Sequence, residues 1–123
     1  MSQFIPLQQA IDMTTLYRKE KENILADPYK NQNILCMSET IDRDVFDALL
    51  AKPDCMKLRI YYGMDKSLQV HAIIIPVNAK NEDILPSPGA ALSGGNDAGE
   101  ESIRCPPICP TSSPLNPWKP VYI

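Results

Sequence analysis

The sequence predicts an α+β domain in which two helices pack on a small antiparallel sheet built around a β-hairpin, followed by a Pro- and Gly-rich C-terminal tail. Three observations lead there. Apolar residues recur at helical spacing in two segments before residue 53. Two alternating apolar runs, Met56 to Tyr62 and Leu68 to Val77, are separated by a loop of hairpin length. Eight of the twelve prolines and four of the five glycines fall after residue 80, so the periodic pattern belongs to the first two-thirds of the chain.

The first helix is expected from Pro6 to Leu25. Proline suits the first turn of a helix, where its missing N–H would have no intrahelical acceptor. Leu7, Ala10, Ile11, Thr14, Tyr17 and Ile24 share one face, with Gln8, Asp12, Lys19 and Glu22 mainly on the other. Asp27-Pro28 ends the helix, because proline disfavours helical backbone at the residue before it. A second helix is expected from Asp42 to Lys52, with Thr40 or Asp42 as N-cap, Val45, Phe46, Leu49 and Leu50 as its apolar stripe, and Pro53 as its stop.

In the hairpin the expected loop is Gly63 to Ser67. Leu58, Ile60 and Tyr62 lie on one face of the first strand. In the second strand Val70, Ala72 and Ile74 share one face, and His71, Ile73, Ile75 and Val77 the other. Pro76, lacking an N–H, belongs at a strand end or on an edge. Two strands bury both faces poorly, so a further strand is expected from Ile34 to Met37 or from Asp83 to Leu85, or else a partner chain. The domain boundaries that follow are an α+β domain over 1–85, a flexible linker over 86–102 and a Pro/Cys-rich tail over 103–123. That tail is apolar as well as proline-rich, which suits either docking on its own domain or recognition of another protein.

Charge and composition narrow the partners. A net charge of −3 argues against nucleic acid, which needs clustered Lys and Arg. The densest basic stretch, Arg18, Lys19 and Lys21, is interrupted by Glu20 and Glu22 and reads as a solvated helix face. The longest apolar stretch, Ala72 to Val77, is too short to span a membrane. With no positive n-region or apolar h-region at the start, the expectation is a cytoplasmic chain whose four cysteines are reduced.

The residues with chemical potential are few. Cys36, Cys55, Cys105 and Cys109 offer four thiolates for a structural zinc ion, although paired CxxC knuckles are absent. The competing reading makes Cys36 and Cys55 small core residues and the CxxxC pair part of a rigid turn. His71, the sole histidine, would need an orienting acid such as Asp65 or Asp83 to serve as a base, and a structural role is favoured. Tyr61 and Tyr62 are adjacent in a strand, so one of them faces the core and the other is free for a binding surface. Ser93-Gly94-Gly95-Asn96 lacks the Lys-Ser/Thr of a phosphate loop.

Several segments together resemble a family of short bacterial proteins with no established activity. They are Leu7-Gln8-Gln9-Ala10-Ile11 with Tyr17-Arg18, Arg59-Ile60-Tyr61-Tyr62-Gly63-Met64-Asp65, Val70-His71-Ala72-Ile73-Ile74, and Arg104-Cys105-Pro106-Pro107-Ile108-Cys109-Pro110 with Ser113-Pro114-Leu115-Asn116. The resemblance spans nearly the whole chain and implies that the tail belongs to the protein. It implies no catalytic residues.

The leading functional expectation is a non-enzymatic interaction or assembly module, acting as a homo-dimer or on a protein partner, with Tyr61, His71, Ile73, Ile75 and Trp118 as contact residues. The alternatives are a zinc-stabilised module and, third, a small enzyme using His71, Tyr61 and a cysteine.

Overall fold

Pro6 adopts an extended backbone and hands the chain directly into α1 (Leu7–Glu20), as expected of a proline at a helix start. The computed structural model describes residues 3–86 and 103–117. Its order is α1, a short 3-10 turn (Asp27–Tyr29), β1 (Ser38–Thr40), α2 (Arg43–Leu50), β2 (Lys57–Met64), β3 (Val70–Val77) and β4 (Ile103–Cys105). Among the described residues there are two helices and two antiparallel two-stranded sheets, β1 with β4 and β2 with β3. This is an α+β arrangement.

α1 stops at Glu20, five residues before the expected end. Asn23 explains part of this: its side-chain amide donates to the Lys19 carbonyl at 3.3 Å, in place of a continuing helical ladder. The helix also departs from its expected role, since it buries no side chain. Leu7 and Ile24, assigned to a core face by spacing, are largely exposed. Two long-range hydrogen bonds attach it instead: Tyr17 Oη donates to the Cys36 carbonyl at 2.6 Å, and Arg18 Nη1 to the Leu115 carbonyl at 2.7 Å.

α2 is the helix that makes the core. Val45 and Leu49 are buried against Ile74, with Ile41, Phe46, Leu58 and Ala72 packed around them. Leu50, counted in the apolar stripe, is exposed. The helix therefore covers the hairpin face that carries Leu58 and Ile74.

The hairpin register pairs Ile60 with Ile74, Tyr62 with Ala72 and Gly63 with His71. β2 runs on through Gly63 and Met64, so the loop begins at Asp65, later than expected. Asp65 builds that loop: its Oδ1 accepts from the Ser67 and Gln69 amides at 2.8 and 3.0 Å, and its carbonyl accepts from Leu68 N–H. Leu68 takes a left-handed backbone (φ 67°), which the closed turn imposes on a residue that disfavours it.

Neither segment expected as a third hairpin strand forms one. Asp83 makes an isolated bridge to Val77, and the Ile34 carbonyl accepts from Val70 N–H at 2.8 Å. Both lie along the outer edge of β3. The outward groups of that edge come from Val70, Ala72, Ile74 and Pro76, so Pro76 sits where no partner strand requires its N–H. β1 lies just beyond the expected 34–37 segment and pairs with β4, with Glu39 opposite Arg104.

Cys105 and Cys109 are joined in a disulfide with their Cα atoms 4.6 Å apart. The expectation of four reduced cysteines thus describes Cys36 and Cys55 alone. The turn is closed by Ile108 N–H donating to the Arg104 carbonyl, and the Cα separation lies within the range a disulfide accepts. No described helix is long and apolar enough to cross a membrane.

Leu49 is almost completely buried at the centre of this core. Leu49→Ala is expected to lower the unfolding free energy by about 3 kcal/mol, as for buried leucines generally. Urea denaturation followed by circular dichroism checks it; a loss near zero would mean that α2 does not anchor the hairpin.

Candidate functional site

The outer edge of β3 meets side chains in place of a strand. Both carboxylate oxygens of Glu39 accept from the Ala72 amide at 3.2 Å. Arg104 donates to the Val70 carbonyl through Nη1 and to the Asn33 carbonyl through Nη2 at 2.6 Å. The two side chains also face each other at 3.7 Å, with only 11% and 9% exposure. They come from adjacent positions in β1 and β4, so the small sheet presents an ion pair to the large one.

That seam forms one wall of a concave site of about 400 Å³. Ile60 and Tyr62 of β2 line it together with Tyr17, Leu35, Cys36 and Glu39. The walls are mainly apolar. Cys36 is half-buried and donates weakly to Glu39 Oε1 at 3.7 Å. Burial pushes its thiol above the usual cysteine range, with Glu39 adding to the rise and Arg104 opposing it. Burial likewise raises the Tyr17 hydroxyl. A thiol so placed is a packing group, since the reactive form is the thiolate. Tyr17 also lines a shallower depression on α1, with Met13, Leu16 and Ile24 around it and Glu20 and Lys21 at its margin. The two concavities therefore share an apolar wall.

Among the remaining expected site residues, His71 also borders this concavity, and Tyr61, Ile73 and Ile75 are not in its lining. His71 and Tyr61 belong to the opposite hairpin face, because strand alternation groups them with Arg59, Gly63 and Ile73. His71 Nε2 donates to Asp65 Oδ2 at 2.6 Å, while its Nδ1 is buried with no hydrogen-bond partner among the described residues. Tyr61 Oη donates to the Asp83 carboxylate, which also holds the Arg59 guanidinium. Of the two acids considered for His71, Asp65 is the one that holds it, and Asp83 is taken by Arg59 and Tyr61. Cys36 and His71 both border the groove that Ile60 and Tyr62 line, whereas Tyr61 does not, so the expected histidine, tyrosine and thiol are not all brought to one place. Ile73 is half-buried, packed where any side chain at Gly63 would stand. Ile75 is only 4% exposed. Trp118 lies outside the described residues.

The four cysteines are not gathered. Cys55 Sγ lies 3.4 Å from the Lys57 carbonyl, Cys36 is beside Glu39, and the sulfurs of Cys105 and Cys109 are bonded to each other. Among the described residues no group of three or more His, Cys, Asp or Glu side chains is placed to hold a metal ion.

Sequence reasoning missed Glu39 and Arg104 as a pair. The available signal was a single charge inside or beside each apolar segment, Glu39 after Ile34 to Met37 and Arg104 before Cys105. Spacing places Tyr17 and Ile60 only on an apolar face of their elements, and in the structure they border the groove. No family model matches the chain, and neither a curated protein nor a solved structure matches it.

The His71 hydrogen bond, with support from the Gln69 and Ser67 amides, holds the Asp65 carboxyl below its usual value. Its folded value is depressed, so its contribution to loop stability is present above the unfolded value of about 3.9 and is lost as pH falls through the folded one. A carboxyl-carbon NMR titration should place the Asp65 midpoint below that of a free aspartate, with His71→Ala raising it. A midpoint at or above the free value would contradict the pairing.

Proposed function

We propose that the chain is a non-enzymatic protein-interaction or assembly module, with the Tyr17-centred groove and the α1 stripe as its contact surface. One observation carries the reading: α1 buries no side chain and exposes Met13 and Leu16, with Ile24 beside them just past its end. That surface runs through Tyr17 into a second apolar concavity bordered by Ile60 and Tyr62. Large contiguous apolar surface on a small soluble domain marks a site of association, because leaving it in water forgoes burial worth about 25 cal/mol per Å².

The chemistry of the groove fits a protein partner or a second copy of the chain. Its walls are apolar, its thiol is held protonated by burial, and its one buried ion pair is already matched. The net charge of −3 disfavours nucleic acid. The exposed helix stripe gives the association a means of being tested without touching the core.

Leu16→Glu combined with Ile24→Glu should leave folding stability within about 0.5 kcal/mol of the parent, since both side chains are exposed. Light scattering on the full chain should show assemblies heavier than 13.7 kDa, alone or with a partner, that the double variant loses. A parent that remains at 13.7 kDa at every accessible concentration, and that retains no protein partner from cell extract, would remove the proposal.

A further inference from the structure

The two edges of the hairpin are treated differently. Outward backbone groups of β3 belong to Val70, Ala72, Ile74 and Pro76, and three of these four residues, all but Ile74, find a partner in Ile34, Glu39, Arg104 or Ile84. By the same alternation, the outward groups of β2 belong to the residues paired with them, Leu58, Ile60, Tyr62 and Met64. No described residue hydrogen-bonds the backbone of these four on that side. β2 is eight residues long. Natural edges of that length are usually blunted by an inward charge, a proline or a bulge. The four outward positions of β2 carry none of these.

We infer that this open edge is a self-association edge, on which β2 of a second copy pairs antiparallel about a twofold axis at Tyr61. The inference rests on the assembly reading above and names the partner as the chain itself. An antiparallel pairing must set outward residues opposite outward residues, which restricts the register to steps of two. Centring on Tyr61 is the register that pairs all four open residues with one another, giving about eight interchain backbone hydrogen bonds at two per bonded pair.

Side chains agree with that register. Leu58 meets Met64 of the second copy and Ile60 meets its Tyr62, an aliphatic–aromatic cross-strand match. On the other face Arg59 comes opposite Gly63, where its aliphatic stem would lie along Ile73, which fills the space above that glycine. Lys57 comes opposite Asp65, whose carboxyl is held toward its charged form, so the two ends of the interface are complementary in charge. Among the described residues, Arg59 and Tyr61 lean across β3 to Asp83, away from the open edge. The product is a four-stranded sheet of order β3-β2-β2-β3. Isolated two-stranded hairpins are marginal in water, so this pairing supplies what the hairpin lacks.

Analytical ultracentrifugation of the full chain should show a monomer–dimer equilibrium. Tyr62→Lys places a charge opposite Ile60 of the second copy. Tyr62 is 79% exposed, so the monomer should fold normally and its dimer dissociation constant should rise at least tenfold. Tyr61→Cys should form an interchain 61–61 disulfide on mild oxidation, identified by peptide mapping, because the twofold brings those Cα atoms to about 4.5 Å. A dimer that ignores Tyr62→Lys and gives no 61–61 crosslink overturns the inference while leaving assembly through another surface intact. A chain that stays monomeric also overturns it, and the assembly reading falls with it only if no heterologous complex forms.

Discussion

Glu39 and Arg104 lie almost out of solvent at the outer edge of β3, where a third strand would otherwise stand. Burying an ion pair carries a large desolvation penalty, and attraction alone seldom offsets it. Here each member also satisfies backbone groups that would be left unpaired: Glu39 takes the Ala72 amide, and Arg104 gives to the Val70 and Asn33 carbonyls. The pair thereby fixes the small sheet against the large one. It also explains how a segment more than sixty residues further along the chain than β1 belongs to the same body. The Cys105–Cys109 disulfide rigidifies the turn that follows, and Asn116 lies buried against Cys105.

That sealed edge gives the molecule its asymmetry. β3 is covered by α2 on one face and lined by side chains and loops along its outer side, so its C-terminal half is buried. β2 and α1 receive no comparable cover. β2 exposes Ile60, Tyr62 and Met64, and α1 rests on two long-range hydrogen bonds from Tyr17 and Arg18. The proposed association accordingly uses the β2 and α1 side, while packing belongs to the β3 side.

Elements with dense local signals were legible in the sequence. The Pro6 start of α1, the Val45/Leu49 stripe of α2 and the alternating strands around Gly63 each combine period with a stop or turn residue, and the structure has each of them. What was hidden depended on contacts distant in sequence. The spacing of Leu7, Ala10, Ile11 and Thr14 shows that α1 is amphipathic, but not whether anything covers it. Whether a strand edge is closed by backbone or by a carboxylate is equally invisible in periodicity, and so Ile34 to Met37 reads as a strand when the working residue is Glu39. The candidate site followed the same rule. His71 and Tyr61 stand out by type, yet only His71 borders the concavity that holds Cys36, and Tyr61 turns to Asp83. The groove is made by Ile60, Tyr62 and Tyr17, whose residue types are ordinary and whose significance lies in being left uncovered.

A double-mutant cycle on Glu39 and Arg104 reaches the centre of this account. Glu39→Gln, Arg104→Met and the combination would be compared by urea denaturation. The structure predicts a coupling of about 1–3 kcal/mol, in the range found for residues sharing one buried network. Additivity within about 0.4 kcal/mol would show that the two side chains act independently, and that the edge of β3 is held by something other than their pairing.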